Sequence, residues 1–182
     1  MTEVAISGRA LLDQAAERLR GAGVESPRLA ARRLWSDLQG DATLLALLTD
    51  DATLDSAAAA QYLGWVERLA GGEPLAYVTG WTGFRHLRLR CDARALIPRP
   101  ETEVLVELAL ARVRTGSVAD IGTGTGAIAL ALRQEGEFTS VVGVDCSADA
   151  LTLASENGAM LGLAVEWRLG DLLAPIAEPL DL

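Results

Sequence analysis

Ser117-Val118-Ala119-Asp120-Ile121-Gly122-Thr123-Gly124-Thr125-Gly126-Ala127-Ile128-Ala129-Leu130-Ala131-Leu132 reads as a short strand, a glycine-rich turn and a helix. Alternate glycines let the backbone take torsions closed to other residues and let a ligand approach the main chain. The start of the helix offers N–H groups without intrahelical partners, suited to a carboxylate. The spacing is G-x-G-x-G, not the G-x-G-x-x-G of a dinucleotide site. No Lys-Ser/Thr pair follows, so a phosphate-binding P-loop is excluded. The plain alternative, a tight strand-to-helix turn with no ligand, explains neither the three glycines nor the acid at the strand tip.

Downstream, the pattern continues as strand, helix, strand. Strands are expected over 117–121, 140–145 and 164–169, and helices over 126–134 and 148–161. Short apolar strands alternating with helices predict a parallel sheet with helices on its faces. Asp145 ends the second strand, about 20 residues past the loop, where a carboxylate accepts the hydroxyls of a ribose. A helix cap or a solvated strand end is the alternative for Asp145. Asp171 follows the third strand at the same edge of the sheet, within reach of an adenine amino group; an ordinary loop carboxylate is its alternative.

Upstream the periods differ. Residues 7–70 carry helical spacing, with Leu11, Leu12, Ala15, Ala16 and Leu19 on one stripe. Ser26-Pro27 and Asp55 are helix starts, and a short apolar helix is expected over 41–48. Residues 75–79 are expected as a strand and 80–83 as a turn, with Leu87, Leu89 and Cys91 alternating against His86, Arg88 and Arg90 in a half-buried strand. A helix is expected from Glu101 to about Arg114, with Val104, Leu105 and Leu108 on its apolar side.

Composition narrows the functions. The chain has 182 residues, 50% apolar by a loose count, with aromatics at 4% and a formal charge of −9. A base-stacking platform and broad phosphate-backbone binding are disfavoured. All basic side chains are arginine. Cys91 and Cys146 make no metal pattern and read as reduced cytosolic thiols. Apolar stretches are broken by charge, so no membrane span is expected. His86 reads as solvated, with no catalytic set around it. Arg85, Arg88, Arg90, Arg94 and Arg99 form a basic cluster, either a solvated face or a contact for an acidic protein or RNA. The four tryptophans read as core or linker packing.

The glycine loop, Asp145 and Asp171 resemble the class I S-adenosylmethionine-dependent methyltransferases. A second set is more specific: Glu73-Pro74-Leu75-Ala76-Tyr77-Val78-Thr79-Gly80, Phe84, Leu96-Ile97-Pro98-Arg99-Pro100-Glu101-Thr102-Glu103 and Leu105-Val106-Glu107. With it the chain resembles the peptide-chain release factor N(5)-glutamine methyltransferases over about residues 10–182. The resemblance implies an α/β fold in three parts. These are an N-terminal helical substrate-docking bundle (1–72), a β-hairpin linker (73–98) and the first half of a Rossmann-like methyltransferase sheet (99–182). It implies S-adenosylmethionine as cofactor and S-adenosylhomocysteine as product. Gly122, Thr123, Gly124, Thr125 and Gly126 would pass the methionine part, Asp145 the ribose, and Asp171 and Leu172 the adenine edge. Leu172 stands where the family has an aromatic residue, which removes a stacking partner. Arg99 and Glu101 would shape the pocket, and no metal is implied. The substrate would be the glutamine amide in the Gly-Gly-Gln motif of release factors, in translation termination in the cytoplasm. A monomer is expected, without membrane or direct nucleic-acid partners. The family's Asn-Pro-Pro-Tyr tetrapeptide is absent, so no catalytic residue is assigned. Residues 179–182 look like the start of a fourth strand. The expectation is therefore a chain truncated relative to the full enzyme, folding poorly alone and without transferase activity. The alternatives are a ribosomal-protein glutamine methyltransferase and a non-catalytic cofactor- or protein-binding fragment. A nicotinamide oxidoreductase is disfavoured by the glycine spacing.

Overall fold

A computed structural model describes residues 6–39 and 53–182; the helix expected over 41–48 lies outside them. The chain divides into two compact units, Met1–Thr79 and Gly80–Leu182.

The first unit is helical: α1 Gly8–Gly21, α2 Pro27–Gln39, α3 Ser56–Ala70 and α4 Leu75–Thr79, with a short antiparallel pair of β1 Ile6–Ser7 and β2 Thr53–Leu54. Its core joins Leu11, Ala15 and Leu19 to Leu34, Trp35, Tyr62 and Val66. Trp35 meets Tyr62 edge to face at 5.5 Å, and the Tyr62 hydroxyl donates to the Ala31 carbonyl at 3.0 Å. The Asp55 carboxylate caps α3 by accepting the Ala58 N–H at 2.8 Å, which satisfies one of the donors every helix start leaves over. Ser26 begins α2 in a left-handed conformation, φ +50°, with its backbone carbonyl accepting from Leu29 and Ala30.

Residues 75–79 form helix α4, not the expected strand. The Pro74 carbonyl accepts from the N–H groups of Tyr77 and Val78, and the Arg68 guanidinium donates to the carbonyls of Tyr77 and Val78, both at 3.0 Å. Those contacts close one turn at both ends and override the β preference of Tyr-Val-Thr. The hairpin consequently lies further along. It pairs β3 Trp81–Phe84 with β4 Leu87–Arg90, Trp81 opposite Arg90 and Phe84 opposite Leu87. Its turn is Arg85-His86, with Arg85 at φ +49°.

The second unit continues with α5 Pro100–Arg112, β5 Thr115–Ile121, α6 Ala127–Glu135, β6 Glu137–Asp145, α7 Ala148–Leu161 and β7 Glu166–Leu169. The three strands make a parallel sheet in the order β5-β6-β7. On the other side of β5, Leu182 donates to the Ser117 carbonyl at 3.3 Å and accepts from the Ala119 N–H at 3.1 Å. That is a parallel ladder pattern. Phe84, Leu87, Leu89, Val106, Val118, Leu130 and Val141 share the core.

Helix α5 corrects another expectation. Val106 and Leu110 are its buried residues, while Val104, Leu105 and Leu108 stay 54%, 54% and 62% exposed. The helix is apolar almost all round, so periodicity could not choose its inner face. Trp167 packs across the sheet beneath the glycine loop. A Cβ built on Gly143 would lie 2.4 Å from its Cζ3, and one on Gly126 would lie 2.9 Å from its Cη2.

Candidate cofactor-binding site

The loop between β5 and α6 holds Gly122, Gly124 and Gly126 at φ +77°, +54° and +81°. Any side chain would strain all three positions. A Cβ on Gly122 would meet no atom within 4 Å, and one on Gly124 only Ala95 Cβ at 3.9 Å. At Gly122 and Gly124 the loop therefore faces open space, whereas Gly126 is buried against Trp167.

Four anchors hold it there. Gly122 and Thr123 donate their N–H groups to the Val144 carbonyl at 2.8 and 2.9 Å. Gly124 donates its N–H to Asp145 Oδ2 at 2.9 Å, while Asp145 Oδ1 accepts the Ser147 N–H at 2.9 Å. Asp120 is buried beneath the loop; its Oδ2 accepts from Thr123 Oγ1 at 2.6 Å and from the Ala129 N–H at 3.2 Å. Burial raises the Asp120 pKa; the Thr123 and Ala129 hydrogen bonds oppose the rise and the neighbouring charge of Asp145 adds to it. The fourth anchor is Asn157 on α7, fully buried. Its Nδ2 donates to the carbonyls of Thr125 at 3.0 Å and Arg90 at 3.1 Å, and its Oδ1 accepts the Arg90 N–H at 2.7 Å.

Sequence reading missed Asn157. The signal was present: Ala150, Leu153, Ala154 and Asn157 fall at helical spacing on the buried stripe of α7, and a polar residue there must find partners.

Asp145 and the loop are in direct contact. Asp171 sits exposed just past β7, which is tied to the end of β6 by the Gly170 N–H on the Asp145 carbonyl at 3.0 Å. Leu172 follows at φ +48° with 68% of its surface exposed. Arg99 is the N-cap of α5 and Glu101 lies in its first turn; no hydrogen bond joins either to the loop. The expected arginine cluster divides. Arg85 is engaged inward, donating to both oxygens of Glu135 at 2.6 Å and to the Glu103 carbonyl at 3.0 Å. Arg94 bridges Asp92 and Glu156 and holds both carboxyls below their usual range. Cys91 is buried, which pushes its thiol up to about 11. No helix among the described residues is long and apolar enough to cross a membrane.

A parallel α/β sheet with an open glycine loop at the carboxyl end of its first strand, and an acid at the end of the second, defines a Rossmann-like methyltransferase domain; residues 118–181 match the family description "Methyltransferase domain". Residues 10–80 match the description "PrmC N-terminal domain". Over nearly its full length the chain is similar in sequence to proteins named release factor glutamine methyltransferase. It is 43% identical over 177 residues to the "Release factor glutamine methyltransferase" of Deinococcus radiodurans, covering 96% of this chain and 64% of that protein. It is 42% identical over 175 residues to the protein of the same name from Moorella thermoacetica, covering 92% of this chain and 61% of that one. The chain thus spans about three fifths of the length of the curated relatives it matches.

Proposed function

We propose that the second unit binds S-adenosylmethionine and that the chain serves methyl transfer to the side-chain amide nitrogen of a glutamine in a release factor, at its Gly-Gly-Gln motif. The observation that carries this reading is the Asp145 carboxylate locked onto the Gly124 N–H at the rim of an open glycine loop. The residues fit such a nucleoside. At Gly122 and Gly124 the loop leaves room where a side chain would stand, and the first turn of α6 presents the N–H groups of Ala127 and Ile128 to a carboxylate. Asp145 uses one lone pair on each oxygen for the protein and keeps the others for ribose hydroxyls. Asp171, exposed just past β7, would meet the adenine amino group, with Leu172 beside it.

The cofactor supplies an electrophilic methyl group on a sulfonium. In the transfer the amide nitrogen gains that methyl and loses a proton. An amide nitrogen is a poor nucleophile, so alignment carries much of the rate. The chain's part is to fix the donor: the loop and Asp145 set its position, and Asp120, Thr123 and Asn157 hold the loop. Docking of the protein substrate is assigned to the helical unit; residues 10–80 match the PrmC N-terminal domain description.

Isothermal calorimetry with S-adenosylhomocysteine tests the site, and a radiolabelled methyl-transfer assay on purified release factor tests the reaction. Saturable one-site binding and label on the motif glutamine are expected. Binding without label confines the reading to the cofactor; no binding overturns it.

A further inference from the structure

Residues 91–99 join β4 to α5 without helix or strand. Such a segment has no ladder to fix its path, so side chains must do it. The path matters here, because it runs beside the glycine loop. Ala95 Cβ lies 3.9 Å from a Cβ built on Gly124. Ala95 therefore bounds one side of the space above Gly124.

Two attachments hold this stretch to α7. Ala95 is buried with Ala150 and Leu153. One turn further along the helix, Arg94 Nη1 and Nη2 donate to Glu156 Oε1 and Oε2, both at 2.9 Å. The same guanidinium donates from Nε to Asp92 Oδ1 at 2.9 Å and from Nη2 to Asp92 Oδ2 at 2.8 Å. The Arg94 backbone N–H adds a bond to Asp92 Oδ1 at 3.0 Å. One planar group thus engages two carboxylates, one in its own segment and one on α7, a geometry an ammonium cannot copy. The Arg94, Asp92 and Glu156 side chains are 30%, 45% and 37% exposed. Ion pairs so exposed contribute little to folding, so the clasp matters for where it puts Ala95 more than for stability.

We propose that Arg94 is a positioning residue of the cofactor site: clasped between Asp92 and Glu156, it sets Ala95 against Gly124 and fixes one wall of the space the nucleoside enters. The inference rests on the cofactor reading above. Arg94 touches no reacting atom; it acts through Ala95. Helix α7 then places both parts of the site. Asn157 holds the loop by the Thr125 carbonyl, and Glu156, its neighbour in sequence, holds the wall through Arg94. Without the clasp the segment around Ala95 is free to leave the loop, and binding must meet the cost of ordering it.

The test uses the full chain and S-adenosylhomocysteine. By calorimetry, Arg94→Ala should bind about three- to tenfold more weakly than the parent, while the circular dichroism melt of the ligand-free protein changes little. Arg94→Lys should recover only part of the loss, since an ammonium lacks the second fork. The double variant Arg94→Ala/Glu156→Ala should bind no more weakly than Arg94→Ala alone, the signature of two residues acting through one contact. In ligand-free protein with carbon-13 alanine methyls, the Overhauser contact between the Ala95 methyl and the Gly124 α-protons should be present in the parent and lost in Arg94→Ala. Parent-like affinity in Arg94→Ala, additive losses in the double variant, or an Overhauser contact that survives the substitution each overturn the proposal. Should Arg94→Ala fail to fold, Glu156→Ala, which keeps the Asp92 arm, carries the same measurements. A parent that binds no S-adenosylhomocysteine fails the cofactor reading instead, and the Overhauser contact, read without ligand, still judges the clasp.

Discussion

Asp145 joins the glycine loop to the turn after β6, one carboxylate oxygen on each. Replacing it by alanine removes both ties and the ribose acceptors together. A charge-assisted hydrogen bond is worth roughly 1.5–3 kcal/mol, so Asp145→Ala should weaken S-adenosylhomocysteine about 10- to 100-fold by calorimetry. Asp145→Asn should fall between the two, since its amide nitrogen cannot accept. The buried acid beneath, Asp120, behaves differently. Its pKa is raised above the ordinary 3.8, chiefly by burial. A carboxyl with a raised folded-state pKa binds its proton more tightly in the folded chain. It therefore favours folding below its unfolded value, and that contribution is lost as pH rises through the folded value. The amide of Asp120→Asn carries no such penalty. Measured by urea unfolding, the stability of Asp120→Asn relative to the parent should rise as pH increases from about 4 upward. A pH-independent difference would show that Asp120 is not strained by its burial.

At the level of elements, the correction to α5 and the discovery of Asn157 have one cause: local pattern fixes an element's existence better than its partners. In α5 the residues Val104, Leu105, Val106, Leu108 and Leu110 offer apolar groups in every direction, and only the packed structure shows which are inside. Leu105→Glu should change stability by no more than about 0.5 kcal/mol, whereas Val106→Ala, at a fully buried position, should cost about 2 kcal/mol. Denaturant unfolding of the pair separates the two faces. Asn157 ties three elements, α7, β4 and the glycine loop, through one side chain. Asn157→Ala leaves the Arg90 N–H and the carbonyls of Arg90 and Thr125 without that partner. An unsatisfied buried group costs about 1–3 kcal/mol. The variant should lose stability of that order and should also bind S-adenosylhomocysteine more weakly, a combination that a remote core substitution does not produce.

Across the whole molecule, what was legible in the sequence was what local chemistry decides. The alternating glycines placed the loop, the apolar runs placed β5 and β6, and the helix expected over 148–161 is α7. What escaped depended on residues far apart along the chain. Residues 75–79 became helical through Arg68; the hairpin turn moved to Arg85, whose N–H and guanidinium are held by Glu103 and Glu135; the arginine cluster was divided by Glu135 and Glu156. The same distinction between local and distant contacts organises stability. The helical unit has its own core around Leu19, Trp35 and Tyr62, and the sheet unit has another around Val118 and Leu130. A ligand held at the glycine loop adds its binding free energy to the folding of the unit that contains the loop. At a free concentration near 100 times its dissociation constant, S-adenosylhomocysteine should add about 2.7 kcal/mol. Hydrogen exchange read on peptides from β5 and β6 should then slow about 100-fold for amides that open only when this unit unfolds. Peptides from α1 and α3 report the other core and should change far less. Unaltered protection in β5 and β6 at saturating ligand would mean that the nucleoside does not lie on this loop.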